Sequence, residues 1–485
     1  MAHSTTSATV HAMNAAHAIS YQGSSSLAGS TLSLVTEART SVAPAFFRGR
    51  LRQPRLSADL LTAVALVVGS RFYTPPNAKA RQFTDPIVTA GAGVLRFEGF
   101  SACASAWIRL DVDSDGYEGD IVGHGTTNVD FNPALRQALA RVRDSDVLGF
   151  DVGSTALTLQ HDDVAVVEKK VPLPPRWLRS LVEVQSYLSS MTPRLTVSGP
   201  VALRFLRSLP RTTTKNTPLW VVPAAAGLRL TATPDAAGVR FTDVARLRVL
   251  EPLAARATSL RMYADDNGMC SAWVLSFAGM RLTLAMTAEV WRGFSGEGQA
   301  LRALLRTDTA DVIARVRGAL SWQQLVDADA IAADLGIAND LVDDTLRVLG
   351  TSGLVGYDLH AQRYFHRVLP FDLDSIADFN PRLVAARALV DAGAVVIDAD
   401  GNGAVVASGD VGYSLSSRAS ARRQTPKRVS LRASYRVKVN DDDDDDSEGA
   451  RCTCPWFAKH QGERGDCKHV LAFELCRNLH IHTRP

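Results

Sequence analysis

Cys452-Thr-Cys454-Pro-Trp-Phe-Ala-Lys-His-Gln-Gly-Glu-Arg-Gly-Asp-Cys467-Lys-His469 lies near the end of a 485-residue chain. It is a C-x-C pair, twelve further residues and a C-x-H pair. A structural zinc takes four N or S ligands in a tetrahedron, with Zn–S near ~2.3 Å and Zn–N near ~2.0 Å. A C-x-C pair in a turn aims two thiolates at one point. Pro455, Gly462 and Gly465 make the spacer a loop that returns the second pair. That pair opens a predicted helix over 467–478, where free amide N–H groups favour a Cys467 thiolate. His469 binds as neutral imidazole, its other nitrogen held by an acceptor. Cys452, Cys454, Cys467 and His469 close the tetrahedron, which predicts one structural Zn2+. Cys476 sits two helical turns beyond His469, ~10 Å at 1.5 Å per residue, and reads as a buried hydrophobe. His460 is an alternative fourth ligand.

Four of the six cysteines fall in the last 34 residues. A chain of this size does not depend on disulfides, so the clustering points to metal. Residues 450–480 bury too little to fold alone, so zinc removal is expected to unfold that segment and spare the rest. Just upstream, eight basic residues and no acid lie between Arg418 and Lys438. Arg422, Arg423, Lys427, Arg428, Arg432, Arg436 and Lys438 are candidate phosphate contacts, with Tyr435 as a stacking group. A solvated linker and strand face reads these residues equally well. Asp441–Asp446 follows directly and can screen them.

Residues 306–372 predict helices over 309–318, 328–335 and 340–352, then strands over 354–357 and 363–366. Three helices and a hairpin match a winged helix. Its recognition helix carries Asp340, Asp343 and Asp344 against Arg347, which opposes insertion among phosphates. His360, Arg363, His366 and Arg367 make the expected wing basic. The pattern favours a packing or partner-binding role. A helix over 378–391 and a hairpin over 394–407 come next.

The upstream chain alternates short apolar strands with helices. A helix over 55–70 reads as amphipathic, and Asn132 caps a helix starting at Pro133. Cys103-Ala-Ser-Ala-Trp107 and Cys270-Ser-Ala-Trp273 echo one another, a weak hint of duplication; both cysteines read as core. Asp111, Asp113 and Asp115 lack the Glu of a calcium loop and read as a polar turn. Gly123-His124-Gly125 lacks a Walker lysine and any accompanying nucleophile motif. An enzyme with a site in residues 46–300 is therefore the weaker reading.

Hydrophobic residues make up 46% of the chain and charged ones 21%, which excludes wholesale disorder. The longest clean apolar stretch, 60–68, is far short of the ~20 residues a spanning helix needs. No membrane association is expected, and a cytoplasmic location is the default. The net charge of +3 hides a basic excess once the six-Asp run is set aside, and this weakly favours an anionic partner.

The terminal motif, with a strand before it and a helix after it, resembles the SWIM zinc finger, matched at all four ligand positions. CTCPWFAKHQGERGDCKHVLA is similar to the finger of bacterial SWIM zinc-finger family proteins. RFEGFSACASAW, GTTNVDFNP, EKKVPLPPRWL, RFLRSLPR, RGFSGEG and GLVGYDLHAQRYFHRVLP extend the resemblance across most of residues 20–480. It implies DNA or protein binding, and association with MoxR-type AAA ATPases and von Willebrand A-domain proteins.

The reading is a multidomain α+β protein. It comprises a flexible tail (1–40), α+β blocks (41–190 and 191–305) and a winged-helix-like domain (306–372). A helix, hairpin, basic stretch and acidic run (373–449) lead to the finger (450–480). The expected role is a non-enzymatic interaction factor for nucleic acid, protein or both.

Overall fold

The computed structural model describes residues 17–21, 26–28, 31–33, 36–40, 44–74, 85–162, 164–171, 175–211, 217–294, 310–369, 381–398, 403–408, 433–439, 450–461 and 465–481. The chain divides into two compact units, Met1–Phe294 with Asp311–Pro370, and Ser295–Ala310 with Phe371–Pro485.

The first unit is built on an eight-stranded antiparallel sheet. Its spatial order is Gly125–Asn128, Ile87–Gly91, Val94–Phe100, Ala106–Val112, Met280–Thr287, Cys270–Phe277, Ser259–Ala264 and Thr192–Ser198. The blocks expected as 41–190 and 191–305 thus share one sheet, joined where Leu110 faces Leu282. The strands that begin the two Cys/Trp echoes are separated by Met280–Thr287. A five-stranded antiparallel sheet accompanies it, in the order Val164–Lys169, Ala156–His161, Leu148–Gly153, Ala45–Leu51, Tyr117–Ile121.

Helix Pro54–Gly69 starts on a proline, whose fixed φ suits the first turn. It is buried nearly all round rather than amphipathic, with Leu66 its most exposed apolar side chain. Helix Pro133–Arg141 covers one side and strands Val94–Phe100 and Ala106–Val112 another, which is why both faces are apolar. Asn132 caps the second helix as expected, its Oδ1 accepting from Leu135 N at 3.0 Å.

Two expectations are corrected at the ends of this unit. Part of the expected flexible tail is paired: His17–Tyr21 runs antiparallel to Thr36–Thr40, and Ser26–Ala28 to Thr31–Ser33. Thr, Ile and Tyr at the paired positions suit a pleated backbone. In 306–372, helices Ala310–Ala319, Ala328–Leu335 and Asn339–Thr351 and the hairpin Val355–Asp358/Arg363–His366 fall where predicted. The basic wing, however, is only partly on the surface: Arg363 is exposed, whereas His360 and His366 are half-buried. Arg367 is fully buried against Glu98, and His366 is half-buried and stacked on Trp322.

A buried ionic network docks the hairpin on the sheet. Arg96 and Arg109 both bind Asp111, at 3.1 and 3.0 Å. Arg281 bridges Asp113 and Asp358 at 2.7 and 3.3 Å, and Arg96 lies 3.7 Å over the Phe365 ring. Asp111 is therefore a buried strand residue, not part of a polar turn. Burial lowers Arg96 to about 10. Asp358 stays low against its burial because Arg109 and Arg281 face it. Charges at this depth persist only when paired.

In the second unit, strands Val395–Ile397, Gly403–Ser408, Ala433–Val439 and Ala450–Cys452 form a sheet in that order. Helices Pro381–Asp391 and Lys468–Ile481 pack on one face. The core combines Leu383, Ala386, Ala404, Val406, Val437, Leu471 and Phe473 with Cys452, Cys454 and Cys467. Among the described residues, no helix is long and apolar enough to cross a membrane.

Candidate metal centre

Strand alternation points Cys452 inward beside Val437, its cross-strand partner. Cys454 then caps a short helix, Pro455–His460, that the spacer was not expected to contain. Its Sγ accepts from Phe457 N at 3.3 Å, and Pro455 starts the turn. Cys467 stands one residue before helix Lys468–Ile481, close to the predicted start. His469, in the first turn of that helix, is 3% exposed.

The ligand atoms of Cys452, Cys454, Cys467 and His469 all lie within 4.8 Å of one another, and all four residues are buried. His469 Nδ1 is 3.8 Å from Cys452 Sγ and 3.9 Å from Cys467 Sγ. A tetrahedron with the usual zinc bond lengths has N···S edges of about 3.5 Å, so the donor set fits one zinc. Hydrogen bonding among the sulfurs holds Cys454 low as a thiolate and pushes the Cys452 thiol up. A divalent cation removes that conflict by accepting all three as thiolates.

The surroundings differ from expectation in one respect. His469 Nε2 is buried and has no hydrogen-bond partner among the described residues. Tyr435 instead lays its ring against the imidazole, with centroids 4.6 Å apart. Tyr435 is thus committed to the metal site and is not a free stacking platform. His460 lies outside the cluster and packs on Trp456, centroids 4.8 Å apart. Cys476 is half-buried, so it is less enclosed than expected.

A family model described as SWIM zinc finger matches residues 435–478. Residues 435–478 are a SWIM zinc finger. The match spans the strand holding Tyr435, both ligand pairs and the closing helix, so the SWIM unit carries its own ligands and framework. The motifs quoted upstream lie outside the matched residues. No curated protein matches the chain. Among solved structures, the crystal structure of Proliferating Cellular Nuclear Antigen from Entamoeba histolytica aligns with 10% identity and a TM-score of 0.35. That alignment covers 50% of this chain and 99% of that one. So low a TM-score assigns no shared fold.

Of the candidate phosphate contacts, Arg422, Arg423, Lys427, Arg428 and Arg432 lie outside the described residues, as does Asp441–Asp446. Arg436 and Lys438 are exposed on the SWIM strand, alternating with buried Val437. Arg451 stands directly across from Lys438 and is also exposed. Strand pairing sets Arg451 on one face with the other two. Val396 is exposed on this sheet, and Asp398 sits over Gly403 at its edge. A second group of ligand-type atoms, from Asp146, His161 and Asp162, was not expected. It is a hydrogen-bonded contact, with His161 Nε2 2.9 Å from Asp146 Oδ2.

Proposed function

We propose that this chain is a non-enzymatic interaction factor whose zinc-held sheet contacts the phosphate backbone of nucleic acid. The observation that carries the reading is the cross-strand placement of Arg436, Lys438 and Arg451 on the solvent side of the finger. Three cations on a rigid sheet meet phosphates without base-edge readout, so binding is weakly sequence-specific and falls steeply with salt. Four protein ligands fill the tetrahedron, which gives the zinc a structural role with no position for a substrate.

Fluorescence anisotropy of the full chain with labelled DNA and RNA tests this at about 50 and about 200 mM salt. The triple substitution Arg436→Ala, Lys438→Ala, Arg451→Ala is expected to weaken binding. It should also flatten the log–log salt slope by about two to three. Absence of binding at low salt transfers the role to a protein partner, as in an adaptor for a MoxR-type AAA ATPase and a von Willebrand A-domain protein.

A further inference from the structure

Strands Gly227–Thr231, Leu219–Ala224 and Val239–Phe241 form a three-stranded antiparallel sheet in that order in the first unit. Gly227–Thr231 is an outer strand, paired among the described residues with Leu219–Ala224 alone. A tight turn through Ala225 and Ala226 joins the two, with Ala224 opposite Gly227. Bonded and non-bonded positions alternate outward from such a turn. Gly227, Arg229 and Thr231 therefore bond inward, toward Leu219–Ala224. The backbone N–H and C=O groups of Leu228 and Leu230 point away from the sheet, and among the described residues no hydrogen bond engages them there.

The side chains sort onto two faces. Leu228 and Leu230 share a face with Val221, which stands opposite Leu230 and is fully buried. A cleft of about 400 Å³ opens along this edge, a volume within the range of pockets that hold small ligands or side chains. Leu219, Leu228 and Leu230 line it, each half-buried, with Ser208 and Pro210 at the end of helix Gly199–Ser208. Arg229 also lines the cleft, on the other face of the strand; it is exposed and has no ion pair among the described residues. Its neighbours are committed elsewhere. Arg204 donates to Ala226 O, and Arg248 to Leu209 O and Pro210 O while pairing with Glu251. Asp235, the next acid along the chain, is held in a turn by Ala237 N and Gly238 N. Arg229 is thus an unmatched cation on an open strand edge.

We propose that this edge takes up an extended peptide of a partner protein as an added strand, with the side-chain pattern apolar, acidic, apolar. Peptide residues opposite Leu228 and Leu230 exchange backbone hydrogen bonds with them, and their side chains fall on the leucine face. Apolar side chains there fill the cleft and cover the half-exposed leucines. The residue between them falls on the opposite face beside Arg229, where an acid completes a charge pair and a base meets like charge. Strand addition of this kind takes its affinity from the main chain and its selectivity from alternate side chains.

Fluorescence anisotropy of the full chain with labelled peptides tests the site. The first probe is acetyl-Thr-Leu-Glu-Leu-Thr amide. The second has Lys in place of Glu, and the third is the Glu peptide N-methylated at both leucines, which keeps the side chains and removes the edge-facing donors. Saturable binding of the Glu peptide is expected, with about tenfold weaker binding of the Lys peptide and about tenfold or greater loss on N-methylation. Arg229→Glu should invert the preference, so that the Lys peptide binds the variant more tightly than the Glu peptide does. That inversion also shows that the variant is folded at the edge. No saturable binding of the Glu peptide overturns the proposal, as does equal binding of the Glu and Lys peptides to the wild type. Undiminished binding of the N-methylated peptide overturns it by assigning the cleft to an apolar ligand without strand pairing. Self-association that Arg229→Glu abolishes, without peptide binding, overturns it by assigning the edge to a second copy of the chain.

Discussion

Tyr435 and His469 face each other with ring centroids 4.6 Å apart, across a strand and a helix 34 positions apart in sequence. The contact fixes the imidazole that turns Nδ1 toward the Cys452 and Cys467 sulfurs. A residue that looked available for base stacking therefore orients a zinc ligand. Replacing Tyr435 with Ala should lower zinc affinity by about tenfold or more, the usual scale for groups supporting a ligand. Competition with a chromophoric chelator measures this. Phe at the same position should retain most of the affinity, because the ring makes the contact.

Metal analysis should return one zinc per chain. Cys467→Ser should abolish binding, since it leaves three donors. Cys476→Ser should leave zinc content unchanged, because Cys476 lies outside the cluster.

Zinc removal should unfold more than the terminal segment. Cys452, Cys454 and Cys467 belong to the same core as Leu383, Ala386 and Val406, and zinc in small domains supplies about 10–16 kcal/mol of apparent folding energy. With chelator present, protease should cut within 381–481, including helix Pro381–Asp391, and spare the first unit. Protection of 381–408 after chelation would restrict the effect to the finger, as sequence reading expects.

Arg367 and Glu98 are both fully buried. Removing one partner strands the other charge, so Arg367→Ala should cost the first unit about 3–5 kcal/mol. Exposed Arg363→Ala should stay within about 0.5 kcal/mol. Urea unfolding followed by tryptophan fluorescence distinguishes the two.

His366 should make the first unit acid-sensitive. Its Nδ1 accepts from Trp322 N at 2.7 Å, and burial, with His124 nearby, lowers it to about 4 from 6.5. Because the folded state disfavours the proton, this contribution is complete above about 6.5. It declines as pH falls toward 4 and levels off below that. His366→Gln should flatten that part of the stability–pH curve, read from urea midpoints between about pH 4 and 7.

The sequence by itself determined the ligand set, the strand before it and the helix after it. Residue type and short spacing state those directly, because a metal needs few donors and their neighbours set the local backbone. The Asn132 cap and the order of helices and hairpin in 310–366 were legible for the same local reason. Tertiary structure alone decided which faces are hidden. Arg367 looked like a wing cation until its partner, 269 positions away, was in place. Asp111 looked like a turn residue until two arginines enclosed it. Two blocks became one sheet through the pairing of Ala106–Val112 with Met280–Thr287. The cleft beside the open edge at Leu228 and Leu230 likewise exists only once helix and hairpin meet, because burial and pairing are properties of residues distant in sequence.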